Sequence, residues 1–177
     1  MSTSAVQAYT LEECTYNNIY CTNYDPVGYT FFAWLGVAAA VVFANFGSAY
    51  GTARSGMGIG PMAVTRPGLV YKALIPVVMA GILGIYGLIV AVIMITRIKL
   101  SGEFGDYQAF KMLAGGMCCG LSCLVSGYCI GLVGEHGVRS FAINEEFYVG
   151  LILILIFGEA LGLFGLIIAI LMSQVGT

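Results

Sequence analysis

The sequence predicts an all-α membrane protein: four transmembrane helices form two duplicated, parallel helical hairpins that assemble into a ring. Three observations support this prediction. Of the 177 residues, 59% are hydrophobic and only 9% are charged, whereas a soluble domain carries about 25% charged residues. Four apolar segments approach or exceed the ~20 residues that are needed to cross the hydrocarbon core of a bilayer. Two of these segments also repeat each other in sequence.

The chain begins with a polar tail, residues 1–27, which lacks the basic region and apolar core of a cleavable signal peptide. Cys14 and Cys21 lie in this tail and would form a disulfide if it faced an oxidising lumen, an alternative that the sequence leaves open. The other cysteines lie among aliphatic residues and fit packing better than a metal site, because no paired CxxC and no nearby His or acid accompanies them. They are Cys118, Cys119, Cys123 and Cys129.

The four spans are predicted near residues 28–53, 68–96, 108–134 and 147–173. The first two form hairpin 28–96, the last two form hairpin 108–173, a loop over 97–107 joins the hairpins, and residues 174–177 form a C-terminal tail. Start signals agree with these boundaries: Pro26 and Pro67 stand at helix starts, and Asn144 precedes two acids as a cap. Pro76, inside the second span, predicts a bend.

The repeat is clearest between the second and fourth spans. GILGIYGLIVAVI (81–93) and EALGLFGLIIAIL (159–171) coincide at six positions, while 47–51 and 127–131 align more weakly. Each repeat contains two spans, so both copies have the same orientation and are related by rotation about the membrane normal. Parallel hairpins of this kind can continue from one chain to the next and close a ring.

Glycines four residues apart lie on one helix face, where they allow two backbones to approach closely. Generic helix association explains any single motif. Their concentration in the first and third spans favours a narrow inner ring of helices, built on Gly47, Gly51, Gly116, Gly120, Gly127 and Gly131.

The charges indicate the orientation. The connection between the first two spans carries three basic residues and no acid, and the N-terminal tail carries three acids and no base. By the positive-inside rule that connection is cytoplasmic and both termini are lumenal, although the basic residues Arg97, Lys99 and Lys111 near the other loop weaken the signal.

Glu159 lies near the centre of the fourth span. An ionised acid there costs roughly 2.5–3.5 kcal/mol, and protonation removes that cost because burial disfavours the charged form. Its repeat counterpart is Gly81, so only one hairpin carries the acid. Tyr86, the counterpart of Phe164, could hydrogen-bond the carboxyl, although a packing role fits it equally well. His136 is interpreted as a solvated loop residue after the third span.

Four segments resemble the proteolipid c-subunit family of V-type ATPases in the family's order, over about residues 28–173. They are AYGTARSGMGI (49–59), PVVMAGILGIYGL (76–88), GLVGEHGVR (131–139) and ILILIFGEALGLFGLI, which contains Glu159. The resemblance implies a c-ring rotor in a vacuolar or endomembrane organelle, with the first and third spans inside the ring. It also implies that Glu159 carries the proton. The implied partners are the stator a-subunit with its arginine, the d-subunit and the soluble V1 sector.

Within this family, an acid on the fourth span favours the c form over the larger c″ form. Sodium-carrying relatives have oxygen ligands at positions that here correspond to Ile82, Leu83 and Ile130, which favours H⁺. No GxxxxGK[ST] motif occurs, so partners are expected to hydrolyse the ATP and no cofactor or nucleic acid is expected. The alternative is a structural or adhesive four-span protein, or a small pore, in which Glu159 is a packing staple.

Overall fold

The computed structural model describes residues 26–100 and 106–174, and within these ranges all regular structure is helical. The helices are α1 (Pro26–Thr65), a 3-10 turn (Pro67–Leu69), α2 (Val70–Ala73), α3 (Ile75–Leu100), α4 (Asp106–Ile143) and α5 (Phe147–Gln174). Four stretches are long and apolar enough to cross a membrane: Thr30–Thr65, Pro67–Ile98, Tyr107–Ile143 and Phe147–Gln174. The predicted four-span all-α fold is therefore confirmed. Cys14 and Cys21 lie outside the described residues.

The helices α1 and α4 extend well past their predicted ends. Helix α1 ends at Thr65 instead of near residue 53, and α4 ends at Ile143 instead of near residue 134. With 40 and 38 residues, each helix is nearly 60 Å long and projects beyond the ~30 Å hydrocarbon core. His136, predicted to be a loop residue, therefore lies on helix α4, where it is exposed to solvent.

Glycine explains why the first of these boundaries was predicted too early. The run of glycines before Pro61 is typical of a loop, yet all of it is helical. At Gly58, an added Cβ would lie 2.8 Å from the backbone oxygen of Glu135. A glycine here therefore serves the close packing of α1 on α4 and does not mark a turn.

The second span is interrupted at Leu74, two residues before Pro76. Proline has no N–H to donate to the carbonyl four residues earlier, and its ring crowds that turn. Backbone bonds across the interruption keep the span continuous: Leu74 N donates to Val70 O at 3.2 Å, and Val78 N donates to Leu74 O at 3.1 Å.

Helices α1 and α4 pack backbone against backbone. At each of the six glycines predicted to pack, an added Cβ would lie within 3.1 Å of a backbone atom of the facing helix. Gly127, for example, lies directly against the backbone of Gly47, and Gly120 lies against Ala39. Any larger side chain at these positions would separate the two helices. The six are Gly47, Gly51, Gly116, Gly120, Gly127 and Gly131.

The two hairpins are packed internally in the same way. A Cβ added at Gly84 would lie 3.4 Å from Ser48 Oγ, and one added at Gly162 would lie 3.3 Å from Ser126 Oγ. Gly162 lies 78 positions after Gly84, and Ser126 lies 78 positions after Ser48. The predicted alignment of 47–51 with 127–131 is therefore wrong, since these segments face each other and are not counterparts.

Candidate functional site

Glu159 lies on α5, at the border between a buried and an exposed stripe. The buried residues of α5 recur every three or four positions and face α3 and α4. They are Leu151, Leu155, Gly158, Gly162, Gly165, Ala169 and Ser173. Ile156 and Phe157, on the other side, are 48% and 74% exposed. Glu159 is half-buried, so part of this residue is open at the surface of the chain.

Tyr86 of α3 is the hydrogen-bond partner of this carboxyl. Its hydroxyl donates to Glu159 Oε1 over 3.3 Å, which is longer than the 2.5–3.0 Å usual for O–H···O bonds. The structure thus brings together Glu159 and Tyr86, the two polar residues that the sequence analysis identified within the apolar spans. Because the bond is long, it restrains the carboxyl only weakly.

Two side chains of α4 hold α5 on either side of Glu159. The Ser126 hydroxyl donates to Gly158 O at 2.6 Å, and the Cys123 thiol donates to Gly162 O at 3.9 Å. Both carbonyls lie within one helical turn of Glu159, so these bonds fix the rotation of α5 around the acid. Sequence reasoning missed this role, although a serine within an apolar span was the available signal.

Aliphatic side chains fill the space next to the acid. Leu83 and Ile130 are completely buried. Leu83 Cδ2 would lie 2.6 Å from a Cβ at Gly162, and Ile130 Cγ1 would lie 3.4 Å from one at Gly158. Ile82 is half-buried. In the described ranges no group of three His, Cys, Asp or Glu residues could hold a metal ion.

A second acid, Glu135 on α4, is only 8% exposed and has two cationic partners. Arg54 Nη1 of α1 lies 3.0 Å from Glu135 Oε2, and Arg139 Nη2 lies 2.9 Å from Oε1. Arg54 Nε also donates to the hydroxyl of Tyr50 at 3.1 Å. The prediction missed this cluster because it placed the end of the third span at residue 134. The i,i+4 spacing of Glu135 and Arg139 was a usable helix signal.

The two acids differ in chemistry. Among residues 26–100 and 106–174, no Lys or Arg forms an ion pair with Glu159. A carboxyl with one hydroxyl partner and apolar neighbours can take up a proton where it faces hydrocarbon and lose it where water or an external cation approaches. The charge of Glu135 is balanced inside the chain by two arginines, whereas none of the described Lys or Arg side chains balances Glu159.

Comparison with known proteins gives two results. The family model for the C subunit of ATP synthase matches residues 35–94 and again 113–172, once in each hairpin. The chain is 47% identical over 154 residues to the V-type proton ATPase c′ subunit of Eremothecium gossypii, covering 87% of this chain and 94% of that protein. It is 51% identical over 146 residues to the V-type proton ATPase 16 kDa proteolipid (c) of Nephrops norvegicus, covering 82% and 92%. With the human 16 kDa proteolipid (c) the identity is 51% over 144 residues, covering 81% and 92%.

Proposed function

Because this chain belongs to the ATP synthase C-subunit family, among the V-type proton ATPase proteolipids of the c and c′ type, we propose that Glu159 makes it the proton carrier of a membrane rotor. The chain is an integral, multi-pass component of a proton-translocating ATPase. The observation that carries the proposal is the partnership of Glu159: one weak hydroxyl contact, and no cation from the described residues.

The proposed cycle follows from that environment. Copies of the chain form a ring in which Glu159 is protonated while it faces lipid, because an ionised carboxyl there costs roughly 2.5–3.5 kcal/mol. ATP hydrolysis in partner proteins turns the ring and brings Glu159 to a stator. There an arginine stabilises the carboxylate, and the proton leaves for the lumen of an acidified organelle. The partners are the a-subunit with its arginine, the d-subunit and the soluble V1 sector.

The neighbours of Glu159 have supporting roles in this cycle. Tyr86 is proposed to orient the carboxyl through its long hydrogen bond, and Ser126 and Cys123 to keep α5 in a fixed rotation. The aliphatic neighbours Leu83 and Ile130 support H⁺ over Na⁺ as the cargo, because a dehydrated Na⁺ needs several oxygen ligands. The long Tyr86 bond also argues against the alternative in which Glu159 is only a packing staple.

The substitution Glu159→Gln tests the proposal in the assembled complex. It removes the exchangeable proton but keeps the size of the side chain, so we expect ATP-dependent acidification of vesicles to fall to background while the ring still assembles. The matched control is Glu135→Gln, the same chemical change at the paired acid, which should leave transport per assembled complex near its normal level. Acidification that survives Glu159→Gln would exclude the carrier role.

Chemical labelling gives an independent test. A hydrophobic carbodiimide reacts with a protonated carboxyl from the lipid side, so it should label Glu159 in the intact chain. The label should be absent from Glu159→Gln and unchanged in Glu135→Gln. Labelling confined to other acids would contradict the proposal.

A further inference from the structure

Ser55 of α1 is a buried polar residue that the proposed function does not use. It is completely buried, and among residues 26–100 and 106–174 its Oγ has no hydrogen-bond partner. Other serines of the spans donate to a backbone carbonyl: Ser122 bonds its own helix at Cys119 O, and Ser126 bonds α5 at Gly158 O. Burying a hydroxyl without a hydrogen bond is unfavourable, so Ser55 points to a partner other than the described side chains and backbone.

Three helices meet at this hydroxyl. A Cβ added at Gly134 of α4 would lie against Ser55 Oγ and 3.0 Å from Cβ of Pro76, near the start of α3. Pro76 is also completely buried. A methyl group at position 134 would therefore displace the hydroxyl, and glycine leaves room for it between α1, α3 and α4.

The interruption of the second span brings a second polar group to the same place. Pro76 has no N–H, so the carbonyl of Lys72, four residues earlier, loses its helical donor. The backbone bonds across the interruption use other carbonyls: Leu74 N donates to Val70 O, and Val78 N donates to Leu74 O. In membrane spans, a carbonyl freed by proline is satisfied by a neighbouring Ser or Thr side chain or by ordered water.

We propose that one buried water molecule joins these two groups, accepting a hydrogen bond from Ser55 Oγ and donating one to Lys72 O. The two groups do not bond each other directly, since Ser55 Oγ has no acceptor among the described residues. Both lie beside the ring of Pro76, the hydroxyl in the packing around its Cβ and the carbonyl where the ring crowds the preceding turn. A lipid or a second copy of the chain cannot reach the site, because Ser55 and Pro76 are completely buried.

The position of the site along the spans suits a water molecule. Ser126 binds α5 beside Glu159, and Gly134 lies about 12 Å further along α4 by the 1.5 Å rise per residue. The site is therefore near the edge of the ~30 Å hydrocarbon core and away from its centre. The side chain of Arg54, next to Ser55 in the sequence, is 38% exposed, so water at the membrane surface lies one residue away.

The water site fixes the start of α3, the helix that presents Tyr86 to Glu159. Because the helix is interrupted at Leu74, helical bonds alone do not set the direction of α3 relative to the turn before it. A water held by Ser55 ties this interruption to α1. The site does not depend on the proposed function, since no step of the proton carrier requires it.

X-ray radiolysis of the intact complex in membranes tests for the water, with water carrying a heavy oxygen isotope as the probe. Radicals formed from a bound water oxidise the side chain beside it. Buried Pro76 should therefore be oxidised, and the isotope should enter its product more slowly than the products at exposed residues. Phe141, 1% exposed in an apolar cluster, is the dry comparison. Labelling of Pro76 no greater than that of Phe141 in the unchanged chain would overturn the proposal.

The substitution Ser55→Ala tests the hydroxyl. It removes one ligand of the water, so the labelling of Pro76 should fall to the level of Phe141. The matched control is Ser122→Ala, the same change at a serine that bonds its own helix, and it should leave the labelling of Pro76 unchanged. Helix content and assembly of both variants are measured alongside. Equal labelling of Pro76 in Ser55→Ala and in the unchanged chain would exclude Ser55 as a ligand.

The substitution Pro76→Ala tests the carbonyl, because it returns a helical donor to Lys72 O. With Pro76 present, Ser55→Ala should speed hydrogen exchange of the Leu74 and Val78 amides, whose bonds of 3.2 and 3.1 Å span the interruption. In the Pro76→Ala background the carbonyl is already satisfied, so Ser55→Ala should add no further acceleration. The same acceleration in both backgrounds would contradict the water bridge, and neither result bears on transport in Glu159→Gln.

Discussion

Glu135 and Glu159 are both acids on membrane-spanning helices, and their surroundings are opposite. Glu135 is 8% exposed, with an arginine at each carboxylate oxygen. Glu159 is half-buried and has a tyrosine hydroxyl at 3.3 Å. Ser126 binds α5 beside Glu159, and Glu135 lies roughly 14 Å further along α4 by the 1.5 Å rise per residue. One acid is therefore near the centre of the span and the other near its edge.

The two acids are the same residue type, and the difference between them lies in their partners. Two guanidinium groups fix Glu135 as a link between α1 and α4, and removing a buried partner of this kind leaves an uncompensated charge. Glu159 has no such link to lose. Substitutions that add a cationic partner to Glu159, or remove the partners of Glu135, should therefore have different effects on proton transport and on stability.

The largest expected effect comes from giving Glu159 a partner like that of Glu135. Tyr86→Arg would place a guanidinium beside the carboxyl and hold it as an ion pair in an apolar environment. We expect proton transport to fall at least about 100-fold, which corresponds to ~3 kcal/mol, with the ring still assembled. ATP-driven acidification of vesicles measures this, and near-normal transport in Tyr86→Arg would show that ion pairing does not block the carrier.

The next effect concerns the partners of Glu135. Glu135→Gln removes two charge-assisted contacts whose arginines are 38% and 50% exposed, so we expect a loss of roughly 1–3 kcal/mol in unfolding free energy after allowing for solvent screening. Denaturant unfolding in detergent measures it. Arg54→Gln combined with Glu135→Gln should cost less than the sum of the single changes, and strict additivity would contradict the coupling.

A smaller effect is expected from Tyr86→Phe, which removes only the hydroxyl next to Glu159. A net hydrogen bond contributes about 0.5–1.5 kcal/mol, and this one is long, so transport should decrease by less than about tenfold. The initial rate of acidification measures the change. Loss of transport as severe as in Glu159→Gln would mean that Tyr86 takes part in proton transfer itself.

The smallest effect is expected at the pair of Arg66 and Glu145, whose side chains are 49% and 55% exposed over a distance of 3.1 Å. Exposed ion pairs contribute ~0–1 kcal/mol. Arg66→Gln should therefore leave both unfolding and transport close to those of the unchanged chain. A destabilisation equal to that of Glu135→Gln would show that burial does not set the strength of these pairs.

The sequence was sufficient to predict the four spans, the duplication and the two polar residues Glu159 and Tyr86. A long apolar run, and an acid within it, are visible in a short stretch of sequence. Such features can be recognised without knowing which helices pack against each other. The alignment of 81–93 with 159–171 supplied the right displacement, and packing of Gly84 and Gly162 on equivalent serines bears it out.

The helix ends and the Glu135 cluster could not be predicted in the same way. Gly58 lies in a glycine-rich segment typical of a loop, but it is helical and packs closely against the backbone of Glu135. Arg54 donates a hydrogen bond to Glu135, which lies 81 positions later in the sequence. Both relations depend on where α1 lies against α4. The alignment of 47–51 with 127–131 failed for the same reason, because glycines on two facing helices resemble each other without being counterparts.

Gly81 has one further consequence for the proposed rotor. In the proposed ring each chain contributes two hairpins, and only one of them carries an acid at the position of Glu159, because its counterpart in the other hairpin is Gly81. A ring of a given size therefore moves half as many protons per revolution as one in which every hairpin carried an acid. The free energy of the ATP spent in a revolution is then divided among fewer protons, so each can be moved against a steeper electrochemical gradient. Because Gly81 carries no acid, the proposed rotor moves fewer protons per ATP but can move each of them into a more acidic compartment.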